Sequence, residues 1–212
     1  MDKVNFLLIK SEIISAKSYE EIHKHFQLPL QLFSNHIKFT KGLGYLFGRK
    51  EDIILIGVLQ NSSWFDANIT SQNLSELELQ ICKLDPESSI LSFWTNSNIA
   101  GYYYRLIKAS NFRKSFEGND GSDDFLIFGN DFSDFEKELL STRKLYDDEE
   151  AIFYYSTQLK EYLPHYSLGG SLITNILATE FNIDYWELEN EFHFDHYLLP
   201  IEMEKLKRLG LL

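Results

Sequence analysis

The chain has 212 residues, of which 44% are hydrophobic and 25% charged, and its 32 Asp/Glu against 20 Lys/Arg give a net charge of −12. A chain of this length buries enough surface to fold without staples, and this composition excludes disorder over most of it. Its single cysteine, Cys82, excludes an intramolecular disulfide and the structural zinc sites built on two or more cysteines.

Phe6 to Ile9 is an apolar stretch too short for a secretory signal, and no run of about 20 apolar residues offers a membrane span, so cytoplasmic residence without a membrane partner is the expectation. The charge is unevenly placed. Residues 1–114 hold 13 Lys/Arg and 11 Asp/Glu, whereas residues 115–212 hold 7 and 21, so the second part carries a net −14. Summed surface charge steers association, which points to basic partners. The aromatic fraction of 15%, with 17 Phe and 12 Tyr, favours a sheet-containing core and large contact surfaces.

In chain order, the first 60 residues read as strand, helix and strand, from Asn5–Ile9 to the apolar run Ile53–Leu59. Ser18 with Glu21 forms a capping box that starts a short helix through Phe26. Gly42, Gly44 and Gly48 lack the spacing of a dinucleotide fingerprint and precede a strand, so they read as turn glycines and no cofactor is expected. Leu74, Leu77, Ile81 and Leu84 share one helical face, and Asp85-Pro86 stops that helix.

The runs Ile90–Thr95, Tyr102–Lys108, Phe112–Phe116 and Phe125–Phe128 follow, separated by turn-forming residues. They predict an antiparallel meander, covered by helices on one face and partly exposed on the other. Ser133 with Glu136 opens a helix to about Lys144. The acidic run Asp147 to Glu150 is expected to open another, ending near Leu163-Pro164, because carboxylates are stabilised at a helix start. Gly169-Gly170-Ser171 is expected to precede an apolar helix, and a last helix runs from Pro200 to Leu209. The fold expected is α+β: an antiparallel β-meander with flanking helices, followed by a mostly helical acidic C-terminal part. Residues 1–130 form the mixed region and residues 131–212 the acidic one, with room for both to pack as one domain.

Candidates for chemistry are few. The stretch Trp186–Tyr197 holds the densest set of ligand-type side chains, and a metal site there would draw on Glu189, His193, Asp195 and His196. The favoured reading of the same residues is a solvated acidic face, since an extended chain would put Glu187, Glu189, Glu191, His193 and Asp195 on one side. His23 and His25 point apart on a helix, and His36 and His165 stand alone. The turn Glu117–Asp124 departs from the calcium-loop template, there is no nucleophile elbow, and Cys82 falls on an apolar-rich helix face.

Two basic clusters, Lys38/Lys41/Arg49/Lys50 and Arg105/Lys108/Arg113/Lys114, are set against the net −12. They are expected to pair with the chain's own acids rather than with nucleic acid. The function expected is a non-enzymatic protein-binding module that engages a basic partner surface, in an immunity-like or adaptor role. The alternative is a metal- or small-ligand-binding protein or hydrolase with its site at the junction of the two parts.

Overall fold

The computed structural model describes residues 4–27, 30–37, 44–59, 72–96, 101–118, 126–146, 151–157 and 160–211. Strand β1 (Val4–Lys10) leads through the short helices α1 (Glu12–Ser15) and α2 (Tyr19–His25) to β2 (Gln31–Ile37), β3 (Tyr45–Lys50) and β4 (Ile53–Val58). The Ser18–Glu21 capping box starts α2 as its sequence implies. Helix α3 (Glu76–Leu84) then precedes the meander β5 (Ser89–Asn96), β6 (Gly101–Lys108), β7 (Asn111–Gly118) and β8 (Leu126–Gly129). These strands join one antiparallel sheet of nine, ordered β2-β12-β3-β4-β1-β5-β6-β7-β8. Its second strand, β12 (His193–Leu198), comes from the far end of the chain and pairs with both β2 and β3.

Alternation sorts the core into two layers. Leu7, Ile9, Phe47, Ile54 and Ile56 face α1, α2 and α3, packing on Ile14, Ile22 and Ile81. Phe6, Leu8, Leu55, Phe93 and Tyr104 face the other way, onto elements from the C-terminal part. Every residue of β4 is buried, which explains its unbroken apolar sequence, because a strand covered on both faces has no polar side to show. The sheet is thus covered on both faces at its centre, where the sequence pattern suggested one face partly open. Both faces of β6 already carry bulk, and the second layer uses it.

The acidic part departs from the helical expectation. Helix α4 (Asp134–Ser141) starts at its capping box but stops short of Lys144, and β9 (Arg143–Tyr146) takes over. Residues 147–150 lie outside the described residues. The segment expected to continue as a helix forms β10 (Ala151–Ser156) and β11 (Glu161–Pro164), which complete a three-stranded sheet in the order β11-β10-β9. Aromatic and β-branched residues at Ile152 to Tyr155 fit a pleated surface better than a helix, and that preference prevails over the helix-start signal of the acids. Helix α5 (His165–Ile176) contains Gly169-Gly170-Ser171 in its interior rather than at its start.

A π-helical turn (Leu177–Phe181) extends α5 and is closed by Asn182 in the left-handed region, with φ 55°. A 3₁₀ turn (Tyr185–Glu187), α6 (Leu188–Glu191), β12 and α7 (Pro200–Arg208) complete the chain. Among the described residues, no helix is long and apolar enough to cross a membrane.

Candidate functional site

The stretch Trp186–Tyr197 is neither one strand nor one helix, so its carboxylates and imidazoles do not share a single face. From His193 onward it is strand. His193 is exposed, Asp195 half-buried and His196 buried, and the two-residue period sends His196 to the face opposite His193 and Asp195. The His196 ring packs edge-on against Phe33, with centroids 5.2 Å apart. Asp195 lies on the side of Tyr19 and Tyr197, whose hydroxyls are pushed up to about 12 by burial first; Asp195 adds to both shifts, while Arg49 opposes the one at Tyr19. Glu191 is ion-paired with Lys50 at 2.9 Å, and the Glu189 side chain lies outside the described residues. Among the described residues, no three His, Cys, Asp or Glu side chains come together to hold a metal ion.

Other titratable groups serve the core. His23 is buried edge-on against Phe47 and Tyr197, at 4.5 and 4.4 Å between centroids. Its Nε2 has no hydrogen-bond partner among the described residues, and burial lowers its pKa to about 4. It is therefore neutral at neutral pH, while His25 is exposed. Burial also pushes the Cys82 thiol up, away from the reactive thiolate. The side chains of His36 and His165 lie outside the described residues, as do residues 38–43 and 119–125, which hold Lys38, Lys41 and most of the acidic turn.

The basic clusters are largely absorbed by the fold. Arg105 of β6 gives two hydrogen bonds to Glu78 of α3, at 2.8 and 3.3 Å, and both side chains are 1% exposed. Lys114 of β7 reaches Glu136 of α4 at 2.5 Å, where the Tyr104 hydroxyl also donates at 2.6 Å. Lys108 reaches Glu180 at 2.5 Å. Arg49 donates to the Lys17 carbonyl and lies over the Tyr19 ring, 5.0 Å from its centroid. The aromatics interleaved with the second cluster are likewise occupied, since Tyr102, Tyr103 and Tyr104 are all buried.

A groove of about 650 Å³ lies in the acidic part. Helix α5 and the π-helical turn after it form one wall, with Ser167, Gly170, Ser171, Thr174 and Asn175 from the helix and Ala178 from the turn. Facing residues are Phe135 of α4 and Glu161 and Leu163 of β11, and Trp186 stands at the open side, 76% exposed. The Ser171 hydroxyl donates back to the Ser167 carbonyl at 3.2 Å, so α5 spends part of its own polarity and leaves a mainly apolar wall.

The chain reaches Trp186 through the π-helical turn, the Asn182 reversal, and Asp184, whose carboxylate accepts from the Trp186 amide at 2.9 Å. Asp184 and Glu187 lie two residues before and one after Trp186 and both are exposed, while the Tyr185 ring packs edge-on against the indole at 5.1 Å between centroids. Among the described residues, no lysine or arginine lines the groove and no ion pair takes up Glu161, Asp184 or Glu187. An indole face among carboxylates, in contact with apolar surface, attracts a cation that brings its own apolar stem. Sequence reasoning passed over Trp186; the aromatic pair Tyr185-Trp186 set between Asp184 and Glu187 was the available signal. No family model, no curated protein and no solved structure matches the chain.

Proposed function

We propose that this chain is a non-catalytic binding protein whose acidic C-terminal part engages a basic partner surface. The observation that carries the reading is the exposed Trp186, flanked by Asp184 and Glu187 and sharing its groove with Glu161, all three carboxylates without an ion pair among the described residues. The groups whose pKa is moved furthest, Tyr19, His23, Tyr104 and Tyr197, lie elsewhere and line no part of the groove, which supports binding rather than catalysis. A reducing cytoplasm suits the free, buried Cys82.

Affinity capture from the native host at low and moderate salt tests the reading, using the wild type beside an E161Q/D184N/E187Q variant. Capture of a basic protein that weakens with salt and falls roughly tenfold or more in the variant is the expected result. Capture unchanged by both the substitutions and the salt sinks it. A small organic ligand is the second reading, favoured by the groove's volume, which lies within the range of about 300–1,000 Å³ found for small-molecule sites. Saturable quenching of Trp186 fluorescence by a small organic compound would favour it.

A further inference from the structure

We infer that the groove along α5 is the docking site for an amphipathic helix of the basic partner, with an arginine or lysine of that helix laid on Trp186 beside Glu161. The inference rests on the binding reading above and specifies where, and in what conformation, the partner is held.

Two neighbouring glycines in α5 carry the first argument. A Cβ on Gly169 would run into the ring of Tyr102 on β6, so helix-to-sheet packing accounts for that glycine. A Cβ on Gly170 would meet nothing within 4 Å, yet glycine in a helix interior costs stability relative to alanine. Among the described residues, nothing packs on Gly170 to account for this cost. The vacant space over Gly170 belongs to the groove, where it lets an incoming backbone approach more closely than any side chain would allow.

The shape of the groove carries the second argument. Its wall follows α5 and the π-helical turn after it from Ser167 to Ala178, roughly 16 Å and about three helical turns. Starting from Ser167, Gly170 or Ser171, then Thr174 and Ala178 recur on it at three- and four-residue steps, the spacing of the furrow that accepts a ridge of a second helix. A helix brings its own backbone hydrogen bonds already made, which suits a wall whose backbone is closed within α5. The strand on the other side, β11, has only four residues and ends in Pro164, which has no N–H to donate to an added strand.

Chemistry at the rim carries the third. The π-helical turn is a rare element and here brings the chain back so that Trp186 shares the groove with Asn175 and Ala178. Trp186 and Glu161 together offer a cation an aromatic face and a carboxylate, and no cation of the chain among the described residues lines the site.

The test uses synthetic probes on the intact chain: an arginine-bearing amphipathic helical peptide of about five turns, its arginine-to-glutamate counterpart, an arginine-bearing peptide held extended by prolines, and N-acetyl-arginine amide. Binding is read by fluorescence, with Trp186→Phe isolating the indole at the groove. The arginine helix is expected to bind and the glutamate helix not to. Gly170→Leu fills the groove where a Cβ has room, and Thr174→Lys adds a repelling charge; each should weaken binding at least tenfold with the thermal unfolding midpoint of the protein retained. Tight binding unaffected by both variants overturns the groove assignment and leaves the basic-partner reading standing. Equal or better binding of the extended peptide or of N-acetyl-arginine amide overturns the helical occupant. Failure of every basic probe, together with absence of a basic protein in the capture experiment, removes the reading itself and this inference with it.

Discussion

On the face of the sheet covered by α1, α2 and α3, Arg105 of β6 reaches Glu78 of α3; on the face covered by α4 and α5, Lys114 of β7 reaches Glu136 of α4. Both glutamates are the third residue of a capping box, accepting the amide of Ser75 at 2.7 Å and of Ser133 at 2.6 Å while also receiving a cation from the sheet. A helix start favours a carboxylate, so the helix offsets part of the desolvation cost of burying it. The fastening differs. Arg105 grips both oxygens of Glu78, donates to the Asn73 carbonyl at 2.9 Å and lies over Phe112, 4.7 Å from the ring centroid. Lys114 makes one short contact to Glu136 and lies over the Phe132 ring, 5.6 Å from its centroid, and Glu136 takes the Tyr104 hydroxyl on its other oxygen. One face is pinned to a single strand by a planar fork, the other to two strands through a shared acceptor.

The largest expected effect tests that contrast directly. Arg105→Met removes the charge partner of the buried Glu78 and leaves it the Ser75 amide, and should cost about 3–5 kcal/mol in denaturant unfolding. Lys114→Met should cost about 2–3 kcal/mol, because Glu136 keeps the Tyr104 hydroxyl and the Ser133 amide. Equal losses would break the comparison. The next effect belongs to the α1–α3 face alone. Burial holds the folded His23 near 4, below its ordinary 6.5, so the unfolded chain binds the extra proton between those values. Stability present in full above pH 6.5 should therefore decline as the pH falls towards 4, by about 3 kcal/mol in total, and His23→Leu should flatten that slope.

The α5 face supplies the two smaller effects. Gly169→Ala forces a methyl group against Tyr102 and should cost about 1–3 kcal/mol, whereas Gly170→Ala, one residue along, should gain about 0.5–1 kcal/mol. Thermal unfolding of the pair sharpens the distinction between a glycine kept for packing and one that packing leaves unexplained.

Local signals were legible where chain neighbours decide the outcome. Ser18–Glu21 and Ser133–Glu136 open helices, Asp85-Pro86 closes one, and the four meander strands fall where the turn residues divide them. Strands whose partners are distant were not. β2 alternates too weakly in sequence to announce itself, and β3 contains Gly48, whose place is set by Phe192 and Phe194 across the sheet. The run after Asp147 carried a helix-start signal and a strand composition at once, and pairing of β10 with β9 and β11 decided between them. The candidate site was hidden for the same reason. Gly169-Gly170 looks like a helix start unless Tyr102 is known to press on one of the two, and the exposure of Trp186 depends on a π-helical turn that no periodicity encodes.

The place of β12 bears on how the chain comes to be folded at all. Among the described residues β2 has no strand neighbour except β12, and β3 has β4 on one side and β12 on the other. While the chain is being synthesised, these two early strands must wait beside an empty lane that only the last strand can fill. Leu32 and Phe33, still 48% and 38% exposed in the finished fold, would meanwhile stand on an open edge, where strands of other nascent chains could pair. The sheet closes through a long-range contact, so the edge left beside β2 and β3 stays open until β12 has been made and paired.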